Sequence, residues 1–262
     1  MRWVLWISAG LGFALLYVPL LILVIYSFNA SKLVSVWGGW STRWYVELWS
    51  NAAVLEAALV SLQVAVLAAT IGTAFGTVIG YILSRFGRFR LRLLLTGMAT
   101  APIVMPEVVT GLSLLLLFIS MEQLIGWPAG RSMTTIVIAH ATFCMAFVAV
   151  VIQARLAGYD HSIEEAAADL GGHQPGIFFQ ITLPVIAPAL LSGWLLAFTL
   201  SLDDLVIASF VSGQGSSTLP MVIYSKVRLG VSPDVNALGT IIIAVVATGL
   251  ILALRFSGRR PG

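Results

Sequence analysis

Residues 162–184 read S-I-E-E-A-A-A-D-L-G-G-H-Q-P-G-I-F-F-Q-I-T-L-P, a stretch from Ser162 to Pro184 that lacks the hydrophobicity of a membrane span, holds no Lys or Arg, and still reads as strongly structured. Its start has the form of a capping box. Ser162 can accept from the backbone N–H of Glu165 while the Glu165 carboxylate reaches back to the Ser162 N–H, which predicts a short helix from Ile163. Ala166, Ala167 and Ala168 favour helix and leave a face with little bulk, and Gly171-Gly172 can supply the left-handed residue that ends it. Pro175 suits the first turn of a second helical segment, and Pro184 is expected to break the chain again. On these residues alone the stretch is either an ordinary helix-turn-helix loop or a helix shaped to be held against a partner.

Working outward, the chain of 262 residues is 59% hydrophobic and 10% charged. Its mean hydropathy of +1.00 lies far outside the range of soluble globular domains. An integral membrane protein follows. Because every backbone polar group in lipid must be paired internally, apolar runs of about 20 residues imply a helix bundle and not a barrel. The formal net charge of +3 is modest and gives no reason to expect nucleic acid. Cys144 is the single cysteine, so neither an internal disulfide nor a cysteine-based metal site is available. From Met1-Arg2 the chain stays apolar to about Phe28, too long for a secretory h-region, and is read as a retained first span.

Apolar runs predict an all-α polytopic bundle of six transmembrane helices in a single domain over 1–262, with spans near 3–28, 54–84, 93–120, 133–155, 185–210 and 236–256. Placing the amino terminus in the cytoplasm puts Arg2, Arg85, Arg88, Arg90, Arg92, Arg155, Arg255, Arg259 and Arg260 inside. Lys32, Arg43, Arg131, Lys226 and Arg228 are then outside, nine against five of the 14 basic residues. The positive-inside rule therefore favours cytoplasmic termini and a cytoplasmic segment 156–184.

Within the spans, Gly72, Gly76 and Gly80 form a four-residue stripe suited to close helix packing. Residues 29–50 carry Trp37, Trp40, Trp44, Tyr45 and Trp49, the composition of a segment lying on the membrane surface. The third run reads T-A-P-I-V-M-P-E-V-V-T-G over 100–111, where Pro102 and Pro106 are expected to interrupt the helix and Glu107 follows in apolar surroundings. A carboxylate there costs about 2.5–3.5 kcal/mol on insertion scales, which makes it either a functional group or the partner of a neighbouring helix. In the fifth run Asp203 and Asp204 stand side by side. Counting along straight helices puts Asp203 roughly 27 Å from Val185 and Glu107 roughly 21 Å from Leu93, all in the outer half of the membrane. Since neighbours on a helix point about 100° apart, the two aspartates are expected to divide, one lining a path and the other capping or pairing. Trp194, one to three turns below, could add a ring. His140 and Cys144, four apart, are read as packing and a buried hydrogen bond. Residues 212–234 suggest a flexible turn and a short outer helix.

A catalytic constellation is missing. Neither Lys32 nor Lys226 closes a G-x-x-x-x-G-K-[ST] loop, and the sequence has no G-x-S-x-G or H-E-x-x-H. ATP and Mg, if used, belong to another chain, and this one needs no cofactor of its own. A membrane enzyme using Glu107 and Asp203 as acid and base, and an ion-coupled carrier using them as proton sites, remain the alternatives.

The signature in the opening stretch resembles the cytoplasmic EAA motif of permease subunits of bacterial ABC importers: Glu165-Ala166-Ala167, three residues, Gly171, nine residues, then Ile181-Thr182-Leu183-Pro184. The resemblance implies the type I ABC importer permease fold and a coupling helix, begun by Ser162, seated on an ATP-hydrolysing subunit. Further runs, among them M-P-E-V-V-T-G-L-S-L-L-L-L-F and S-G-W-L-L-A-F-T-L-S-L-D-D-L-V-I-A-S-F, are similar to permeases of putrescine importers over nearly the whole chain. That implies a second, different permease subunit, an ATP-binding dimer and a periplasmic substrate-binding protein in the bacterial inner membrane. The substrate would be putrescine, with spermidine or another small cation as the alternative, and Glu107, Asp203, Asp204 and Trp194 the candidate path. Gly172-His173 depart from the family pattern just after the signature glycine.

Overall fold

The computed structural model describes residues 2–33, 36–230 and 232–257, with side chains of the last stretch described to Thr248 and at Ile251. Arg259 and Arg260, counted among the inner basic residues, lie outside the described residues, as do Val34, Ser35 and Val231; Arg255 is described only in its backbone. In chain order the elements are α1 (Arg2–Tyr26), α2 (Arg43–Trp49), α3 (Ala52–Arg85), α4 (Arg92–Val104), α5 (Glu107–Ile125) and α6 (Met133–Ala157). There follow α7 (Ser162–Asp169), α8 (Gln174–Ile177), a π-helical turn (Phe178–Thr182), α9 (Leu183–Leu202), α10 (Val206–Val211), α11 (Leu219–Leu229) and α12 (Pro233–Ser257). Among the described residues, five helical segments are long and apolar enough to cross a membrane: Arg2–Tyr26, Ala52–Arg85, Glu107–Ile125, Met133–Ala157 and Gln174–Leu202. The sixth expected run falls within α12, whose described apolar part is Pro233–Thr248.

Three expectations about helix continuity change. Pro102 does not interrupt its helix: α4 runs on to Val104, and the break comes at Met105, extended at ψ 139°, and Pro106. Pro102 forfeits the bond to the Met98 carbonyl without ending the helix, and the residue before Pro106 is the one forced out of helical geometry. The count along one helix from Leu93 to Glu107 therefore does not hold, because Glu107 starts α5. In the fifth run α9 is continuous to Leu202 but stops at Asp203, and α10 is a separate short helix. At its other end Pro184 does not break the chain. It sits in the first turn of α9, and helix runs unbroken from Gln174 through the π turn to Leu202. Widening the turn before Pro184 accommodates a ring that would crowd the carbonyl four residues back in a regular α-helix.

The chain forms two compact units, Ala57–Met221 and Met1–Glu56 with Val222–Gly262. In the first, α6 is the central helix and buries more side chains than any other described element, from Thr135 to Leu156. The glycine stripe of α3 faces it at backbone distance. A Cβ on Gly76 would meet Met145 O and Val148 Cβ at 2.7 Å, and one on Gly80 would meet Ala149 O at 2.8 Å. Packing without side chains at these positions is what allows α3 and α6 to touch. Across α6 lies α9, where Cys144 Sγ donates to Ala197 O at 3.3 Å, as the packing reading of Cys144 expected.

In the second unit α12 packs along α1 and α2. The aromatic segment before α2 winds around Asn29, which is fully buried. Its Oδ1 accepts from the N–H of Gly38 at 2.8 Å, its Nδ2 donates to Val36 O at 2.8 Å, and its carbonyl accepts from Trp44 Nε1 at 2.6 Å. Trp40 and Trp49 are exposed, while Trp44, expected with them on the membrane surface, is a core residue. The short helix expected in 212–234 is α11.

Candidate functional site

The segment expected to couple to an ATPase starts differently from its expected cap. α7 begins at Ser162 itself, with His161 as the residue before it, and the Glu165 N–H bonds to His161 O at 3.1 Å. The capping box between Ser162 and Glu165 is absent. Its place is taken by Asp160, whose Oδ1 accepts the Ser162 N–H at 3.0 Å. That bond, with help from the Ser162 side chain, holds the Asp160 carboxyl below the usual carboxylate range. The Asp two residues upstream thus takes the N–H that the Glu165 carboxylate was expected to accept, an anion placed at a helix N-terminus.

The other end of α7 is built as the glycines predict. Gly171 takes φ +85°, its N–H bonds to Ala168 O at 2.9 Å, and the Gly172 N–H bonds to Ala167 O at 2.9 Å. These are the paired bonds of a Schellman motif. Gly172 has a reason of its own, since a Cβ there would meet Ala167 O at 2.7 Å. Pro175 falls in the first turn of α8.

No residue of α7 is buried. Ser162, Glu165, Ala166 and Gly171 are exposed, Ala167 is half-buried, and Ile181 and Leu183 are half-buried where the segment rejoins the bundle beside exposed Pro184. The signature therefore divides into an outward part, E-A-A and G, and an inward part, I-x-L. Beside α7 opens a cavity of about 710 Å³ lined by Tyr81, Phe86, Phe178, Phe179, Glu164 and Glu165 among others.

Basic residues gather at this end of the unit. Arg92 donates to Leu83 O at 2.8 Å and Gly87 O at 2.7 Å, closing the end of α3, and Arg155 reaches Val185 O at 3.3 Å. Arg85, the last residue of α3, lies 2.7 Å from Glu164.

The acids of the fifth run divide as expected, but not by the helical step: α9 ends at Leu202, and both aspartates lie in the break before α10. Asp204 is buried: its Oδ1 accepts the Ala208 N–H at 2.8 Å, capping α10, and lies 3.2 Å from His140 Nε2. His140 Nδ1 shares a 2.8 Å hydrogen bond with Ser201 Oγ. Asp203 is exposed at the end of α9. His140 is the eighth of the 25 residues of α6, so the acids sit in the half of that helix away from the coupling segment.

Glu107 is exposed in the first turn of α5. One turn on, α5 meets α10 closely, because a Cβ on Gly111 would come within 2.8 Å of the Phe210 ring. The two broken runs are thus packed together, although no ion pair or hydrogen bond joins Glu107 to Asp203 among the described residues. Trp194 donates its Nε1–H to Thr70 Oγ1 at 3.1 Å and stacks on Phe198 with centroids 5.4 Å apart. Nine residues separate it from Asp203, about half a revolution around the helix, so the two leave α9 on opposite faces.

Arg85, Glu164 and Thr182 were invisible as a group in the sequence. Glu164 carried a weak signal, as the acid adjacent to the signature that the pattern leaves unused.

A family model described as "Binding-protein-dependent transport system inner membrane component" matches residues 72–259. The chain belongs to that family. The permease is 61% identical over 236 residues to the putrescine transport system permease protein PotI of Escherichia coli (strain K12), covering 90% of this chain and 84% of the relative. It is 40% identical over 247 residues to the spermidine/putrescine transport system permease protein PotC of the same strain, covering 94% and 90%. A chain in the crystal structure of a bacterial ABC transporter involved in the import of the acidic polysaccharide alginate superposes with a TM-score of 0.77, covering 99% of this chain and 95% of that one. At 16% identity that likeness shows the fold alone. The chain is a multi-pass inner-membrane permease component with the all-helical fold of ABC importers.

Proposed function

We propose that this permease moves putrescine inward as one subunit of an ATP-driven importer. It works with a second, different permease, an ATP-binding dimer that holds ATP and Mg, and a periplasmic binding protein that delivers the substrate. The observation that carries the proposal is the 61% identity to a putrescine permease over nine-tenths of the chain. It is supported by a capped, unburied helix with its glutamate exposed at the basic end of the bundle. In this reading six spans cross the membrane, both termini are cytoplasmic, and Ser162, Glu165, Ala166, Ala167 and Gly171 face the ATPase while Ile181, Leu183 and Pro184 return the chain to the bundle.

Putrescine is a dication, so a path needs carboxylates that are not already neutralised. Asp203 and Glu107 meet that requirement. Asp204, held against His140 and the α10 N-terminus, acts as a structural acid in this proposal, and Trp194 lines α9 on the face away from Asp203.

The test is reconstitution of the full complex, with ATPase activity read as putrescine-, spermidine- or anion-loaded binding protein is added. Putrescine should stimulate most and the anion least. Equal stimulation by spermidine would move the assignment toward the broader polyamine class, and no stimulation by either amine would sink it. Uptake at low substrate in Asp203→Asn or Glu107→Gln should fall about tenfold, the loss of roughly one charge-assisted contact. Wild-type uptake in both would remove these acids from the path.

A further inference from the structure

The helix that carries the coupling signature is not held by apolar packing, since none of its eight residues is buried. Its orientation must come from its ends. The C-terminal end is closed on its own backbone by the glycines. The N-terminal end is tied to two other helices through one carboxylate that the signature does not include.

Glu164 Oε1 accepts from Arg85 Nη2 at 2.7 Å and also from the hydroxyl of Thr182 at 2.5 Å. Arg85 is the last residue of α3, and Thr182 is the last residue of the π turn that leads into α9. Thr182 is fully buried, and the Arg85 side chain is only 8% exposed. Arg85 also donates from Nη1 to His161 Nε2 at 2.9 Å, at the residue preceding α7. Because a guanidinium has only donors, His161 Nε2 must be the accepting, unprotonated nitrogen in this contact. The ring of Tyr159 lies 5.0 Å from Arg85 Cζ and fills the remaining side. One guanidinium therefore holds the start of α7 at two points, His161 just before the helix and Glu164 in its first turn, and one carboxylate binds the ends of α3 and α9 together.

We infer that Glu164, with Arg85 and Thr182, is the positioning junction that makes the coupling helix follow α3 and α9 during transport, while the exposed Glu165 contacts the ATPase. The inference rests on the importer reading above. Its physical basis is that a buried cation cannot be left without its partner cheaply, so a shift of α3 against α9 carries α7 along in preference to opening the junction. α3 and α9 both pack against α6, the central helix of the unit, so a rearrangement among these spans reaches the junction directly. An apolar attachment would let α7 slide, whereas a charge-assisted fork fixes direction as well as distance.

The experiment uses the full complex in lipid nanodiscs, with wild type, Thr182→Val, Arg85→Gln and the pair combined. Thr182→Val keeps the volume of the side chain and removes a single donor, so it remains informative should Arg85→Gln fail to assemble. Copurification of the ATPase and its basal rate should be unchanged in Thr182→Val. Stimulation by loaded binding protein should fall at least ~5-fold in each single variant, the lower range of measured coupling factors. The double variant should lose little more than Arg85→Gln, because both act through one carboxylate. Arg85→Lys, which restores a cation for Glu164 but not the second grip on His161, should recover stimulation in part. Wild-type stimulation in both single variants overturns the inference, as does loss of ATPase copurification in Thr182→Val, which would make the junction a docking element. Absence of stimulation in the wild-type complex would instead remove the importer reading and this inference with it.

Discussion

Glu164-Glu165 at one end of the larger unit and Asp203-Asp204 at the other are two pairs of adjacent acids, and both pairs divide in the same manner. One member is withdrawn into a contact with a buried basic side chain, Glu164 with Arg85 and Asp204 with His140. The other member, Glu165 or Asp203, is exposed. The withdrawn acids differ in depth, however. Glu164 keeps a side-chain exposure of 16% at a helix end, whereas Asp204 is at 5% between helices of the span core. A neighbouring pair of carboxylates thus does two jobs at once: on α7 the 100° step between helical residues separates the two, and at Asp203-Asp204 the helix ends, which lets Asp204 turn inward to cap α10. In both places the dipeptide is one structural and one available charge.

Breaking the pinned members should cost stability, and breaking the exposed ones should not. Asp204→Ala has the largest expected effect, on the order of 3 kcal/mol, because it strands His140 in the core and uncaps α10. Thermal unfolding of the purified complex checks it, with Asp203→Ala expected within about 0.5 kcal/mol of wild type. If the two aspartates destabilise equally, the division is wrong. Glu164→Ala should follow at about 1–3 kcal/mol, against less than about 0.5 kcal/mol for Glu165→Ala, in the same assay. Gly171→Ala should cost about 1–2 kcal/mol through its positive φ and fray the end of α7 without touching either acid pair. Hydrogen exchange at the Gly171 and Gly172 amides would show this as local opening. The smallest effect belongs to Asp160→Asn, which removes an exposed charge from the start of α7. Because the Asp160 carboxyl is held below its ordinary 3.8, its contribution is complete above that pH and is lost as pH falls through the lower folded value. Exchange at the Ser162 amide should accelerate over that interval in wild type and show no such step in Asp160→Asn.

Much of the fold was legible because lipid leaves few choices. Runs near 3–28, 54–84 and 133–155 match α1, α3 and α6 within a few residues, and the Gly72, Gly76 and Gly80 stripe meets a partner helix as small-residue spacing predicts. Proline was the weaker guide. Pro102, Pro106 and Pro184 look alike as letters, yet one is carried inside a helix, one ends it, and one sits in a first turn behind a π turn. The difference depends on where the freed carbonyl can go, which is decided by neighbours in space. The capping box failed for a similar reason: Ser162 and Glu165 have the right spacing, but the helix begins one residue earlier than the box requires, so the Ser162 N–H goes to Asp160 and the Glu165 N–H to His161 O.

The sequence by itself determined the membrane class, the helical pattern, the coupling signature and the expectation that two adjacent aspartates would part company. Local rules sufficed for these, since hydropathy, helical period and glycine backbone freedom act within a few residues. Tertiary structure alone decided that Asp204 is the aspartate withdrawn, and that Glu164 joins Arg85, 79 positions away, to Thr182, 18 positions on. Those choices depend on which basic group the packing of α3, α6 and α9 brings into reach, and no local pattern in the chain carries that information.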